Sequence, residues 1–488
     1  MAKKNILFID PPGAYAKIVN TGLGYIASSL NKHSDCNFKV IDLNNVRKNR
    51  DKVMTDAFSG CEVDAVGVSL NVGSMHAMPA LLSKIKNYFP GSKVFIGGPH
   101  VTLHYKKLLM DFAQFVDFAV VRETERTISK IIDNIHDKEA LSDIPGVVLK
   151  EGLDKNIFGE TIDDIDTIDF PSYECFESVK RNNCSMEYYP IITSRGCPYS
   201  CIFCAGPKIS GKKWRFRNPE SVVDEIEFAL KRYKTRNLEI FDDNFLLDKK
   251  RAVNIMEMIL KRNIKMRLRF GNGVRADKLD EENVKLMKAA GLYEVGMGIE
   301  SADPDIFRNI KKGEGFEAIE KAIGLLKKYD IHMGGSFIIG LPGATLAKDI
   351  NSIKFANRMG FSWRYTAWCY FTPYPSTEAY DMIRKEVDEE TIEKSHRRGH
   401  FTANFIETKD YPLEERIIVR SIAAKIPPVH PGYSKRKLLK LFLKTEATIL
   451  KNRDKNLSFL KFNFLMLERM FYFMKLWVTN KVNPEAYL

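Results

Sequence analysis

The stretch Thr193-Ser194-Arg195-Gly196-Cys197-Pro198-Tyr199-Ser200-Cys201-Ile202-Phe203-Cys204 sets three cysteines within eight residues, spaced CxxxCxxC. It follows an apolar run at 191–194 that reads as a short strand, and Gly196 and Pro198 fit a tight turn. Strand-like runs then recur at 238–241, 266–270, 293–299, 335–339 and 364–370. Helical patterns at 220–231, 249–261, 280–290 and 316–328 separate them. Six βα repeats predict a partial (β/α)6 barrel over 186–375, in which chemistry belongs at the carboxyl ends of the strands. The cysteines fall at the first of those ends.

Upstream, apolar runs at 5–10, 38–43, 65–70, 93–97 and 118–122 alternate with helical spacing. That pattern predicts an α/β domain over 1–150, a doubly wound, Rossmann-like parallel sheet covered on both faces. Ligands of such sheets sit at the carboxyl ends of the strands, where small residues turn the chain. The loops here are Asp10-Pro11-Pro12-Gly13, Asn71-Val72-Gly73-Ser74 and Gly97-Gly98-Pro99-His100. An acidic, weakly periodic segment within 151–185 reads as a linker, and 376–488 reads as mainly helical.

The chain has 488 residues, 44% hydrophobic and 28% charged, enough for two or three globular domains. Its net charge of +13 is uneven: residues 434–488 hold twelve Lys or Arg against four Asp or Glu, leaving +5 for the rest. The opening residues are too short in apolar length for a secretory signal. The longest charge-free stretch, 65–83, is interrupted by Asn71, Gly73, His76 and Pro79, unlike a membrane span. The expected location is the cytoplasm.

Eight cysteines, three of them clustered, favour metal binding over a disulfide framework. Thiolates suit iron or zinc. A structural zinc site wants a fourth Cys or His, and none occurs between Ala205 and the run at 238, with Cys184 the one close candidate upstream. A [4Fe–4S] cluster on three cysteines instead leaves one iron open, which an amine and a carboxylate can chelate.

On these residues the region from about 185 to 375 resembles the radical S-adenosylmethionine (SAM) superfamily. The resemblance implies cluster ligation by Cys197, Cys201 and Cys204, with SAM on the open iron. It places Phe203 near adenine and Asp242, Asp243 and Asn244 near the SAM amine. Arg275 falls at the third strand end, Glu300 and Ser301 near ribose and methionine, and Gly340, in Gly340-Leu341-Pro342-Gly343, beside adenine. Combined with this barrel, the first domain resembles the cobalamin-binding domain of cobalamin-dependent radical SAM enzymes. The resemblance implies cobalamin contacts from Pro12, Gly13, Ser69, Asn71, Gly73, Gly97, Gly98, Pro99 and His100, without a cobalt-ligating histidine in a DxHxxG motif. The run Arg122-Glu123-Thr124-Glu125 departs from the family's usual Gly-Glu-Gly-Glu.

Both cofactors together imply a C-methyltransferase acting on an unactivated carbon through a 5′-deoxyadenosyl radical and methylcobalamin. The alternatives are radical cyclisation, rearrangement or epimerisation without methyl transfer, and a non-enzymatic corrinoid or cluster carrier. A tRNA methylthiotransferase needs three further cysteines in its first domain, where only Cys36 and Cys61 occur. The expected partners are an unidentified substrate and an electron donor such as flavodoxin or ferredoxin. The basic tail, with an apolar helical pattern at 458–477, reads first as a helix packed on the barrel. Its sharper alternative is peripheral contact with an anionic membrane. Nucleic acid is disfavoured, since the tail has no identifiable binding fold.

Overall fold

Five apolar runs of the first 150 residues become parallel strands: β1 (Lys4–Asp10), β2 (Cys36–Asp42), β3 (Ala65–Ser69), β4 (Lys93–Gly97) and β5 (Phe118–Val120). The computed structural model describes residues 3–13, 18–46, 48–58, 60–153, 159–362, 365–398, 406–424 and 434–451. A short β6 (Val147–Leu149), not visible in the sequence pattern, adds an antiparallel edge to β5. The strand order is β2-β1-β3-β4-β5-β6. The chain thus leaves β2 to form β3 on the other side of β1, which puts the topological switch point between β1 and β3. Helices cover both faces, so the central strands carry continuous apolar runs. Leu7, Ile9, Val66, Val68, Val94 and Ile96 are all at most 2% exposed.

The second sheet contains β7 (Tyr189–Ile191), β10 (Asn237–Ile240), β11 (Arg267–Val274), β12 (Leu292–Glu300), β13 (His332–Ile339) and β14 (Ala367–Tyr370), in the order β14-β13-β12-β11-β10-β7. These are the six strands of the partial barrel. Its helices begin where capping chemistry directs them. Asp248 accepts from the Arg251 N–H to start Lys249–Lys261, and Asp280 forms a reciprocal box with Asn283 to start Glu281–Ala289. Asp280, expected inside that helix, is therefore its cap. Pro219 opens Pro219–Arg232 at a position that lacks an intrahelical acceptor anyway.

The chain forms two compact units. The first comprises Met1–Ser200, Cys204–Val295 and Gly324–His332; the second comprises Cys201–Phe203, Gly296–Ile323 and Met333–Leu488. The division runs through β12.

Part of the segment expected as a linker is built into the first unit. Tyr173 and Phe176 are fully buried, and the Tyr173 N–H donates to the Tyr233 hydroxyl at 2.9 Å. Phe176 forms a parallel bridge with Val40, extending the first sheet beyond β2. Its acidic composition concealed these aromatic anchors.

In the second unit, the basic run that opens at 435 forms the helix Lys435–Lys451. Leu441 packs with Ile417 and Ile418 of the helix Leu413–Ala424. The apolar pattern at 458–477 lies outside the described residues. Among the described residues no helix is long and apolar enough to cross a membrane.

Candidate active site

A cavity of about 390 Å³ opens at the carboxyl ends of β1, β3, β4 and β5, at the switch point. Phe8, Gly67 and Phe95 form part of its apolar floor. At Gly67 a Cβ would come within 2.6 Å of the Phe95 ring, so glycine keeps the floor open. Gly98 has φ of 104°, and a Cβ there would meet the Leu70 carbonyl at 2.7 Å. At the rim, Asn20 donates to Asp10 at 2.9 Å and to the Ser69 hydroxyl at 3.1 Å. Burial pushes the Asp10 carboxyl up to about 6, with Asn20 and Asn44 opposing it.

Of the residues expected to meet a corrinoid, Ser69, Asn71, Gly97, Gly98 and Pro99 line this cavity. Pro12, Gly13, Gly73 and His100 do not appear in its described lining. Gly13 and Gly73 lie against each other behind Asn71, where a Cβ on Gly13 would reach the Gly73 carbonyl carbon at 3.4 Å. His100 is turned inward, 4% exposed and stacked on His104 at 4.4 Å between ring centroids. A loop residue's position in sequence does not fix the side of the loop it faces.

The opposite wall comes from the start of the second sheet: Ile192, Ser194, Arg195, Phe241 and Asp243. Here lies a charge network that the sequence reading missed. Arg195 pairs with Glu123 at 3.3 Å and Glu125 at 2.8 Å, and lies over the Tyr25 ring. Arg215, 1% exposed in its side chain, holds both Glu123 oxygens at 2.7 and 2.8 Å. Burial works against the Glu123 charge, yet Arg215 and Arg195 hold its carboxyl below the usual range. Both glutamates stand in the quoted 122–125 run, and Arg195 stands in the cysteine stretch itself.

The expected strand at 191–194 divides here. After β7 the chain bends, and β8 (Ser194–Arg195) pairs instead with β9 (Arg215–Phe216) as a small antiparallel ribbon. Asp242 causes the bend. Its carboxylate accepts from the Thr193 N–H, the Thr193 hydroxyl and the Ser194 hydroxyl, all at 2.6 Å. It is 2% exposed, and burial pushes its pKa up. Asp242 thus fixes the strand exit with three hydrogen bonds.

Asp243 is exposed, and its carboxylate accepts from the Gly196 N–H at 2.9 Å. It therefore lines the cavity and also holds the residue before Cys197. Gly196 has φ of 89°, and a Cβ there would lie 2.3 Å from the Lys213 carbonyl. The Cys197 N–H donates to Gly211, closing the same turn. Asn244 is buried beside Cys197, and its side chain hydrogen-bonds toward the thiol, opposing the rise in its pKa. Arg275 grips Asp277 with two hydrogen bonds and stacks 3.7 Å from the Tyr199 ring. It braces the cysteine loop.

In the second unit, Phe203 is half-buried. Glu300 ends β12 with φ of 64° and pairs with Lys312 at 3.2 Å. Ser301 is fully buried and its hydroxyl accepts from the Asp303 N–H, which supports the turn after β12. Gly340 ends β13 with φ of 82°; its N–H donates to Asp349 and its carbonyl accepts from Arg416.

Two family models match this chain, the B12 binding domain over residues 14–132 and the Radical SAM superfamily over 191–356. An uncharacterized methyltransferase of Pyrococcus horikoshii is 31% identical over 393 residues, covering 78% of this chain and 83% of that protein. The anaerobic magnesium-protoporphyrin IX monomethyl ester cyclase of Cereibacter sphaeroides is 24% identical over 75% of this chain, which spans 60% of that longer protein. Among solved structures, the radical SAM methyltransferase TsrM from Kitasatospora setae, with cobalamin and a [4Fe–4S] cluster bound, superposes with a TM-score of 0.65. It shares 18% identity and covers 79% of this chain and 78% of its own. The chain belongs to the cobalamin-dependent radical SAM enzymes.

The residues present fit the cofactors of that family. The three cysteines carry free thiols on one short loop, and Cys204 is exposed. The Gly206 N–H donates to the Cys204 sulfur at 3.3 Å, a hydrogen bond of the kind that tunes cluster thiolates. Burial raises the Cys197 thiol pKa, so metal ligation there must displace the proton. The Asn244 amide supplies a donor to this sulfur. For the corrinoid, the glycine-walled, largely apolar crevice at the switch point provides the cradle.

Proposed function

We propose that this enzyme is a C-methyltransferase that acts on an unactivated carbon, with Cys197, Cys201 and Cys204 holding the cluster and the switch-point cavity holding cobalamin. When bound, the cluster with SAM supplies a 5′-deoxyadenosyl radical and the corrinoid supplies a transferable methyl group.

The observation that carries the proposal is the double role of Asp243. One carboxylate lines the cavity and fixes Gly196, so the crevice and the cysteine loop share a wall. Radical generation and methyl delivery must meet at one substrate carbon, and a shared wall satisfies that demand. Asp242 and Arg275 keep the wall and loop in place, while Phe203, Asn244, Glu300 and Gly340 are the candidate SAM contacts. A low-potential one-electron donor of the flavodoxin or ferredoxin class completes the system.

The test is a product count from SAM in reconstituted enzyme supplied with cobalamin, reductant and fractionated small-molecule extracts. Methyl transfer predicts 5′-deoxyadenosine and S-adenosylhomocysteine together in the active fraction. The similarity to a cyclase supports a second reading, ring formation without methyl transfer. That reading predicts deoxyadenosine without S-adenosylhomocysteine.

A further inference from the structure

Arg122 occupies a backbone conformation that costs an arginine stability. It follows β5 with φ of 64°, in the left-handed region that favours glycine. Its N–H donates to the Thr102 hydroxyl at 2.9 Å, which holds the strained turn beside the helix Pro99–Asp111. Its stem passes Gly159, where a Cβ would lie 2.8 Å from the Arg122 Cβ. Strain of this kind persists where the side chain does something a glycine cannot.

The charge distribution around the cavity shows what that is. Arg122 lines the cavity and is exposed. The neighbouring charges close on themselves: Glu123 and Glu125 are answered by Arg195 and Arg215. Asp243, on the second-sheet wall, accepts from Gly196. Among the described residues, no carboxylate lies within ion-pair distance of the Arg122 guanidinium. The cavity is therefore polarised, with an unanswered cation on the β5 wall and a carboxylate on the wall shared with the cysteine loop.

Cobalamin has one fixed anionic group, the phosphodiester in its nucleotide tail. We infer that Arg122 is a specificity residue for that phosphodiester, drawing the tail to the β5 wall and away from Asp243. A guanidinium matches phosphate oxygens with paired donors, and the bonds are charge-assisted. The inference rests on cobalamin occupying this cavity, and it goes further in assigning the direction in which the tail lies and the residue that selects a complete corrinoid.

The test uses the full-length protein without its cluster and three probes: aquocobalamin, cobinamide and cobinamide phosphate. Cobinamide lacks the whole nucleotide; its phosphate restores the anion without the base. Binding is read by ultrafiltration and corrin absorbance. The wild type should prefer cobalamin over cobinamide by about tenfold or more, a typical gain for a charged hydrogen bond. Cobinamide phosphate should recover most of that preference. Arg122→Gly should collapse the preference while leaving cobinamide affinity unchanged, and Arg122→Lys should retain part of it. Because glycine relaxes this turn, Arg122→Gly should also raise the apparent Tm of the apoprotein. An unchanged preference in Arg122→Gly, or an equal loss for all three probes, would overturn the inference while leaving corrinoid binding standing. Wild-type protein that binds none of the probes would overturn both.

Discussion

Arg416 donates from its guanidinium to the main-chain carbonyl of Gly340 at 3.2 Å, tying the helix Leu413–Ala424 to the glycine turn that ends β13. Arg416 is 1% exposed, and a Cβ on Gly340 would sit 2.1 Å from its Nη1 atom. Asp349 holds the other side of the turn, accepting the Gly340 N–H at 2.9 Å. A residue some seventy positions beyond the turn thus sets its shape. Arg416→Met should weaken SAM binding by about tenfold, the value of a hydrogen bond to a charged group, with corrinoid affinity unchanged. Equilibrium dialysis with both ligands measures the split. Equal losses for both would mark general destabilisation.

Glu123→Gln should destabilise the enzyme by about 3–5 kcal/mol, because it leaves the buried Arg215 guanidinium without its charge partner. Denaturant unfolding of the apoprotein measures the loss. A double-mutant cycle with Arg215→Met should recover a large part of it, since removing both charges also removes the desolvation penalty.

Asp10 predicts a pH signature. Its folded pKa of about 6 lies above the ordinary 3.8, so the folded state binds the proton more tightly than the unfolded chain. The stabilisation is complete below the unfolded value and is lost as pH rises through about 6. Between pH 5 and 7.5 the wild type should therefore lose about 1 kcal/mol that Asp10→Asn does not lose. Parallel slopes for the two proteins in thermal unfolding across this range would show that Asp10 has no such role.

Adjacent aspartates should separate cleanly. Asp242→Ala removes three buried hydrogen bonds at the β7 exit and should cost about 3 kcal/mol or more of stability. Asp243→Ala frees the Gly196 N–H at an exposed position and should change stability by less than about 1 kcal/mol. Its effect should appear in iron and sulfide content after reconstitution. A stable Asp242→Ala protein with lowered cluster content would reverse the two roles.

The fold was legible because its signals are periodic and local. Continuous apolar strands between helical segments announced the first sheet, and the strand ends carrying Cys197 and Gly340 announced the second. What stayed hidden depends on direction and long-range pairing. Asp242 and Asp243 are neighbours of identical chemistry, yet one faces Thr193 and the other the cavity. His100 follows a glycine loop that does line the cavity but turns into the core. Arg215 and Glu123 meet across more than ninety residues, and no spacing rule joins them. Arg122 stands where the resembled family's pattern has glycine, and its left-handed backbone is one that glycine favours.

The central claim is that a cluster on Cys197, Cys201 and Cys204 works beside a methyl-carrying corrinoid in the switch-point cavity. The most direct measurement supplies SAM bearing a trideuterated methyl group to the reduced, cobalamin-loaded enzyme and follows the label by mass spectrometry. The predicted result is labelled methylcobalamin with S-adenosylhomocysteine, together with 5′-deoxyadenosine that disappears when the three cysteines are replaced by alanine. Deoxyadenosine from the wild type without any label on the bound corrinoid would contradict the claim.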